Sequence, residues 1–278
     1  MRQFLAPVSP DKNGLLEISG KDYHYLHRVL RIKPGDMITV RVPTGELDNM
    51  TVCLVDEAGG RIVMQICADA GNNNLVVRGV SAQKLDEPVS LEYWLFQFIA
   101  RPQKMELIIR QAVECGVYRV IPVVGVYSQS GSVSAMKQCG SRSERFTRLI
   151  REAREQSGSP VETQINVPVT AAEAAALWRS ECGTGAIEET AAVVLSERND
   201  FTEPVHRVLS GYSEFKKVAI AVGCEGGISP DEMIILQNAG FVPVHFAGNI
   251  LRCETAAVYG IAAVQTAVLE RKIWAFKE

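Results

Sequence analysis

Two polar clusters carry the residue types that could do chemistry. Gly223-Cys224-Glu225-Gly226-Gly227 follows the apolar run KVAIAV, and Arg252-Cys253-Glu254-Thr255 follows FVPVHFAGNIL. Three glycines in five residues let a backbone turn sharply and come close to a ligand, because no Cβ stands in the way. In the second cluster Glu254 falls in the first turn of a long small-residue helix, where a carboxylate suits the positive end of the helix dipole and the Arg252 cation does not. A cation placed against its local field points to an anionic partner elsewhere.

Strand-loop-helix units must position both clusters. The helix after the glycines begins with Ser229 as N-cap, Pro230 at its first position and Glu232 completing a capping box. In an open α/β sheet, loops at the carboxyl ends of strands are where ligands bind. A tight turn alone would account for one glycine pair. Two unusual loops at successive strand ends instead border one pocket. The spacing is not G-x-G-x-x-G, and Glu225 would repel a pyrophosphate, so a dinucleotide or nucleoside triphosphate is disfavoured. The final helix, about Glu254 to Lys272, carries Ala256, Ala257, Gly260, Ala263 and Ala267. These permit close backbone approach, and the helix propensity of Ala accounts for them equally well.

From Leu75 onward the pattern alternates strands with helices, the mark of a mostly parallel sheet covered by helices. Strands are predicted at SLEYWLFQFI, YRVIPVV, AAVVLS, KVAIAVG and FVPVHF, and helices over Gln103–Cys115, Glu144–Gln156, Ala171–Trp178 and Pro230–Ala239. Residues 1 to about 70 read instead as short β-runs, LLEIS, DMITVRV, MTVCLV and GGRIVMQIC. One helix, KDYHYLHRVL, interrupts them, with Ser19 as cap and Tyr23, Leu26, Val29 and Leu30 on its apolar face. This is a small β-barrel with one helix, and DAGNNN at 69–74 reads as a linker to the second domain.

At 278 residues and 47% hydrophobic content the chain has enough material for two cored domains. No run reaches the roughly 18 apolar residues of a membrane span, and MRQFLAPVSP lacks a secretory core, so a cytoplasmic address is expected. Seven scattered cysteines without a C-x-x-C pair suggest free thiols rather than zinc or disulfides, and four histidines show no metal-binding pattern. No metal is expected.

A net charge of −3 does not mark a nucleic-acid binder, yet phosphates are contacted by patches rather than totals. Lys21 to Arg41 holds five basic residues against two acidic ones, and Lys137 to Arg154 holds six against two. His24, Arg28 and Arg31 mix stacking and charge in the first segment. In the second, Phe146, Leu149, Ile150 and Ala153 form an apolar face opposite Arg145, Arg148 and Arg151. A solvated polar face explains those arginines singly; phosphate binding is the alternative.

Five ordered blocks, HYLHRVLRIKPGD, KMELIIRQAVECGVYRVIPV, REAREQSG, GCEGGISPDE and ILRCETAAV, resemble the family of small-subunit (16S) ribosomal RNA uridine-N3 methyltransferases, the RsmE family of the SPOUT superfamily. The resemblance spans essentially the whole chain. It implies a PUA-like RNA-holding β-barrel over 1–72 and a trefoil-knotted α/β domain over 73–278. It implies S-adenosylmethionine (SAM) as cofactor and a homodimer with the site near its interface. It also implies small-subunit rRNA, in an assembled or nearly assembled subunit, as partner. Carried over by position, the cofactor would meet Leu195, Ser196 and Glu197, then Gly223, Glu225 and Gly226, then Gly248, Ile250, Leu251, Thr255 and Ala256. Arg252 and Glu254 would serve catalysis, and His24, Arg28, Arg31, Arg145 and Arg148 the RNA. Cys224 stands where the family usually has Pro, Asn249 where it often has Arg, and GVYSQS replaces a segment that commonly carries Arg near Tyr127.

The chemistry the resemblance implies needs methyl and base held in line. Uracil N3 must also lose its proton, so a cation such as Arg252 would stabilise the anionic base. His245 and Glu254 are the candidates for general base. The competing readings are a ribose 2′-O-methyltransferase of the same superfamily and a non-catalytic RNA-binding or ribosome-assembly protein.

Overall fold

Short runs in which alternate side chains are buried build the first part of the chain: β1 (Gln3–Leu5), β2 (Leu15–Ser19), β3 (Met37–Arg41), β4 (Leu47–Asp56) and β5 (Arg61–Ile66). In β2, Leu16 and Ile18 are buried while Glu17 and Ser19 face solvent, the period-two pattern of a half-buried strand. The computed structural model describes residues 3–67, 91–139, 144–182, 189–197, 202–210, 215–246 and 248–270. It divides into two compact units, 1–86 with 155–160 and 87–154 with 161–278. The expected boundary at 72 and the linker at 69–74 lie outside the described residues.

In the first unit the strands form one five-stranded sheet in the order β1-β3-β4-β5-β2. β1 runs parallel to β3 and the other pairings are antiparallel. Phe4, Leu16, Ile18, Leu26, Val40, Met50, Ile62 and Met64 make its core. The helix expected over residues 21–30 is α1 (Gly20–His24) continued by a π-helical turn, Tyr25–Val29. Ser19 stands at the N-cap but its side chain makes no capping hydrogen bond. Tyr23 and Leu26 are buried as expected, whereas Val29 is 64% exposed. The wider turn explains this: Leu30 N–H donates to the Tyr25 carbonyl five residues back, so the register rotates and Val29 swings outward.

The second unit is a parallel sheet. β6 (Glu92–Phe98), β7 (Arg119–Val124), β10 (Thr190–Leu195), β11 (Lys217–Val222) and β12 (Phe241–Val244) form its body, with the two-residue strands β8 (Gln164–Ile165) and β9 (Val169–Thr170) at one edge. The order is β12-β10-β11-β6-β7-β8, and β9 also pairs with β7. Consecutive residues of β6, β7, β10 and β11 are buried, so both faces of the sheet are covered, as continuous apolar strands require.

The covering helices are α2 (Pro102–Glu114), α3 (Ser130–Cys139), α4 (Glu144–Ser157), α5 (Ala171–Cys182), α6 (Val205–Ser210), α7 (Pro230–Gln237) and α8 (Cys253–Glu270). α2 packs against α8, and α5 against α7. Trp178 of α5 meets Trp94 and Phe96, alternate residues of β6, with ring centroids 6.0 and 6.1 Å away. Two features bear on the site. β11 lies between β10 and β6, but the next strand, β12, lies beyond β10, so the direction of winding reverses at the carboxyl end of β10. That reversal is the topological switch point at which α/β sheets bind ligands. Gly260 faces Leu195 so closely that a Cβ there would sit 2.7 Å from its Cδ1, which gives the small-residue surface of α8 a packing reason.

Candidate active site

The loops leaving β10, β11 and β12 enclose a cavity of about 1110 Å³ in the second unit. Leu195, Ser196 and Glu197 come from the first loop, Gly223 to Ile228 from the second, and His245, Phe246 and Gly248 to Arg252 from the third. The starts of α7 and α8 add Pro230, Met233, Ile234, Cys253 and Ala256. Lys104 of α2 and Tyr127 enter from sequence-distant positions. Of the expected ligand-binding residues, Thr255 does not line the cavity and is exposed, because its position on the first turn of α8 faces away.

The glycine cluster folds as a hairpin. Gly227 N–H donates to the Cys224 carbonyl at 3.0 Å, and the two residues form an isolated antiparallel bridge. Gly227 has φ +78°, a left-handed conformation that favours glycine. A Cβ at Gly223 would stand 2.8 Å from the Gly227 backbone, and one at Gly226 would stand 2.8 Å from Tyr127 Cβ. The sequence suggests that these glycines make room for a ligand. In the structure they first make room for the protein itself, allowing the hairpin to close and Tyr127 to lean on it.

The capping box of α7 forms as expected: Glu232 N–H donates to Ser229 Oγ and Ser229 N–H donates to the Glu232 carboxylate. The same buried carboxylate also accepts from Val126 N–H at 2.8 Å, tying the Tyr127 turn to the start of α7. That second use, more than 100 residues away in sequence, has no local signal.

A charged network braces the cavity wall. Lys104 Nζ lies 2.9 Å from Glu254 and 3.7 Å from Glu225, and Arg101 N–H donates to Glu225 at 3.2 Å. Glu254 does not line the cavity; its side chain is spent on Lys104 and on the Cys253 thiol, which donates to it at 3.3 Å. In this arrangement Glu254, expected to serve catalysis, braces α8 against α2 through a hydrogen-bonded ion pair with Lys104. Burial pushes the Glu254 carboxyl up, but the Lys104 hydrogen bond and the α8 backbone outweigh it and hold it below its usual value. The Glu254 hydrogen bond raises Lys104.

The signs set a pH window. The depressed carboxylate contributes stability that is present above the ordinary glutamate value near 4.5 and lost as pH falls through its folded value. The raised ammonium contributes stability present below 10.5 and lost as pH rises through its folded value. Thermal melts of wild type and Lys104→Met should therefore differ by a constant amount from about pH 5 to 10 and draw together as pH falls below the ordinary glutamate value. A difference that persists undiminished at pH 3 would show that Lys104 acts through packing alone.

The cavity cysteines are not nucleophiles. Burial, followed by the hydrogen bond to Glu254 and the charge of Glu225, pushes Cys253 up to about 12, and burial also raises Cys224. Both stay thiols at neutral pH, and the thiolate is the reactive form. Two other groups remain for chemistry. Arg252 lines the cavity, is exposed, and pairs with no carboxylate among the described residues. Its carbonyl accepts Ala256 N–H at 2.7 Å, which places it at the positive end of α8. His245 donates from Nδ1 to the Ser196 carbonyl at 3.0 Å; in the neutral ring this leaves Nε2 with a lone pair.

The residues expected to meet RNA fall into two groups. His24, Arg28 and Arg31 are exposed on the first unit, and neither arginine pairs with a carboxylate among the described residues. On α4, Arg145 pairs with Glu106 and Arg148 with Glu152 at 2.7 Å. Such exposed pairs are weak and exchange readily. Lys104 and Tyr127 are the site residues that local sequence does not announce, since each reaches the cavity from another part of the chain.

Residues 87–265 match the family model of the RNA methyltransferase domain. The ribosomal RNA small subunit methyltransferase E of Rickettsia conorii is 27% identical over 91% of this chain and 91% of its own. That of Mycobacterium bovis is 26% identical over 94% and 90%. Among solved structures, a ribosomal RNA small subunit methyltransferase E from Neisseria gonorrhoeae bound to S-adenosyl methionine superposes with a TM-score of 0.71 at 21% identity, covering 96% of this chain and 97% of that one. A putative methyltransferase from Legionella pneumophila, in complex with the bound cofactor SAM, gives 0.68 at 20% identity over 96% and 98%. These structural likenesses carry the fold. The family model spans well over half of the chain, and by that match the chain belongs to the RNA methyltransferase family.

Proposed function

We propose that this protein transfers a methyl group from SAM to N3 of a uridine in small-subunit (16S) ribosomal RNA. One observation carries the reading: a cavity at the winding reversal of the sheet, bordered by three strand-end loops and lined by an oriented histidine and an arginine that pairs with no carboxylate among the described residues. The curated relatives and the ordered motif blocks supply the substrate class.

The residues present fit the cofactor. Leu195, Val222, Ile228, Met233 and Leu251 offer apolar surface for an adenine and a methylene chain. Glu197 and Glu225 place carboxylates at the wall of a site that must take a cation. Bound SAM supplies an electrophilic methyl on a sulfonium that departs as a neutral thioether. The protein's own task is to make N3 nucleophilic and keep it aligned. His245 Nε2 accepts the N3 proton while its Nδ1–H stays on the Ser196 carbonyl, and the Arg252 guanidinium stabilises the resulting uracil anion. The neutral thiols of Cys224 and Cys253 do not compete for the methyl group.

The reading extends to the whole chain. The β12-β10-β11 order supports a trefoil knot of the SPOUT kind, and the one-helix β-unit supports a PUA-like RNA holder; the family resemblance adds a homodimer at work in the cytoplasm. Arg31 adds to this. It ends the π-turn with φ +54°, a place where glycine is usual and other residues cost about 1–2 kcal/mol. An arginine kept there is best explained by what its side chain does. Reversing Arg28 and Arg31 to Glu should weaken rRNA binding and flatten its salt dependence by about one unit of slope per lost phosphate contact, with SAM binding intact. An unchanged slope would leave both arginines on a solvated face.

The function itself is tested by mass spectrometry of rRNA nucleosides from cells lacking the protein. N3-methyluridine should disappear and return with the wild-type gene. A missing ribose-methylated nucleoside would replace this reading with the 2′-O one, and an unchanged profile would replace it with a binding role.

A further inference from the structure

We infer that Tyr127 is the stacking platform for the target base, an inference that rests on the proposed uridine methylation. The backbone around this residue is fixed while its ring is half exposed. Val126 N–H donates to the buried Glu232 carboxylate at 2.8 Å, Gly125 N–H donates to Ser128 Oγ at 3.2 Å, and Ser128 N–H closes the turn on the Gly125 carbonyl at 3.0 Å. Tyr127 Cβ abuts Gly226, where a second Cβ would stand 2.8 Å away. The near edge of the ring, Cγ and Cδ2, also lies beside Gly226, yet the residue lines the cavity and is 48% exposed, with no ring or hydrogen-bond partner among the described residues.

A large aromatic ring anchored at its root and part-exposed in a cavity is how proteins take up an unstacked base, since every base offers a π-face. Sheet order favours the substrate over the cofactor adenine as occupant. The loops of β12, β10 and β11 are contiguous, whereas Tyr127 follows β7, two places beyond β11 and across β6. Tyr127 therefore reaches the cavity from the side away from the β10 and β12 loops, apart from the loops expected to hold the cofactor. The hydroxyl is not needed for stacking, so the ring alone should suffice.

The test uses small ribosomal subunits from cells lacking the protein as methyl acceptor. Tyr127→Ala keeps the Cβ that abuts Gly226, so the turn and the hairpin should persist, with an unchanged melting temperature and unchanged SAM affinity by calorimetry. KM for the subunits should rise roughly ten- to a hundredfold, with a smaller change in kcat, and Tyr127→Phe should restore wild-type values. An unaltered KM in Tyr127→Ala, or an equal loss in Tyr127→Phe, overturns the stacking role. A parallel loss of SAM affinity assigns the ring to the cofactor and overturns it too. Wild-type activity separates the two levels: without uridine methylation the proposed function has failed, and with it but with unaltered Tyr127→Ala kinetics only the stacking role has.

Discussion

Arg252→Ala should lower methyl transfer about a hundredfold or more while leaving SAM affinity and folding intact. The expectation follows from two opposing costs. Arg252 stands where α8 presents its positive end, so its removal relieves a repulsion of roughly 0.3–1 kcal/mol, and the melting temperature should hold or rise slightly. No carboxylate among the described residues offsets that repulsion. The charge is therefore available to the cavity it lines, where a uracil stripped of its N3 proton would carry the compensating anion. Arg252 is exposed as the chain stands; once substrate and cofactor fill the cavity and displace water, one donor aimed at developing charge is worth far more than at a surface. Single-turnover methylation, calorimetry with SAM and a thermal melt together decide the matter. Near-normal turnover in the folded variant would make Arg252 a structural residue. Arg252→Lys should recover part of the rate, because an ammonium keeps the charge but loses the planar fork of donors.

What could be read in the sequence follows from how local each signal is. The parallel strands announced themselves because burial on both faces leaves continuous apolar runs, and SLEYWLFQFI and KVAIAVG need no partner to be recognised. The capping box at Ser229 and Glu232 is local too, and it formed. α3 carries little local signal: Ser130-Gly131-Ser132 opens it with poor helix formers. β1, β8 and β9 are two or three residues long, too short to carry a period. Val29 went wrong because a π-turn breaks the 3.6-residue repeat on which its placement rested. At the site, the loops after β11 and β12 are legible from glycines and polar clusters at strand ends, whereas the loop after β10, Leu195 to Glu197, is reached only through the family resemblance. The ion pair of Glu254 has no local signal, because its partner, Lys104, lies 150 residues earlier, and only the packing of α2 on α8 brings the two together. The glycines of the hairpin were found for an incomplete reason. Their type was visible, but the atoms they accommodate, the Gly227 backbone and Tyr127, are set by tertiary contact.

Gly223→Ala tests the hairpin more sharply than a bulkier change at Gly226, where Tyr127 stands in the way before any ligand does. The backbone of Gly223 lies outside the left-handed region, so alanine meets no conformational penalty there. Space is the obstacle: the new Cβ would lie 2.8 Å from both the Cα and the carbonyl carbon of Gly227, and backbone, unlike a side-chain tip, cannot swing aside. From beneath, Gln97, fully buried, donates from Nε2 to the Gly223 carbonyl at 3.1 Å and to the Val222 carbonyl at 3.3 Å. The strand end is held by Gln97 and the hairpin by its own bridge, so the strain must open the Cys224–Gly227 closure. Overpacking of this kind costs about 1–3 kcal/mol, which a unit with so extensive a core survives. Function should suffer more, since a displacement of about 1 Å in a positioning loop can cost on the order of a hundredfold in kcat/KM. SAM affinity should fall with it, because Glu225 and Gly226 move when the hairpin opens. Gly131→Ala, in α3 with open space around its Cα, is the matched control and should be neutral or slightly stabilising. A folded Gly223→Ala protein that binds SAM and turns over like that control would show that the closed hairpin is not what shapes the site.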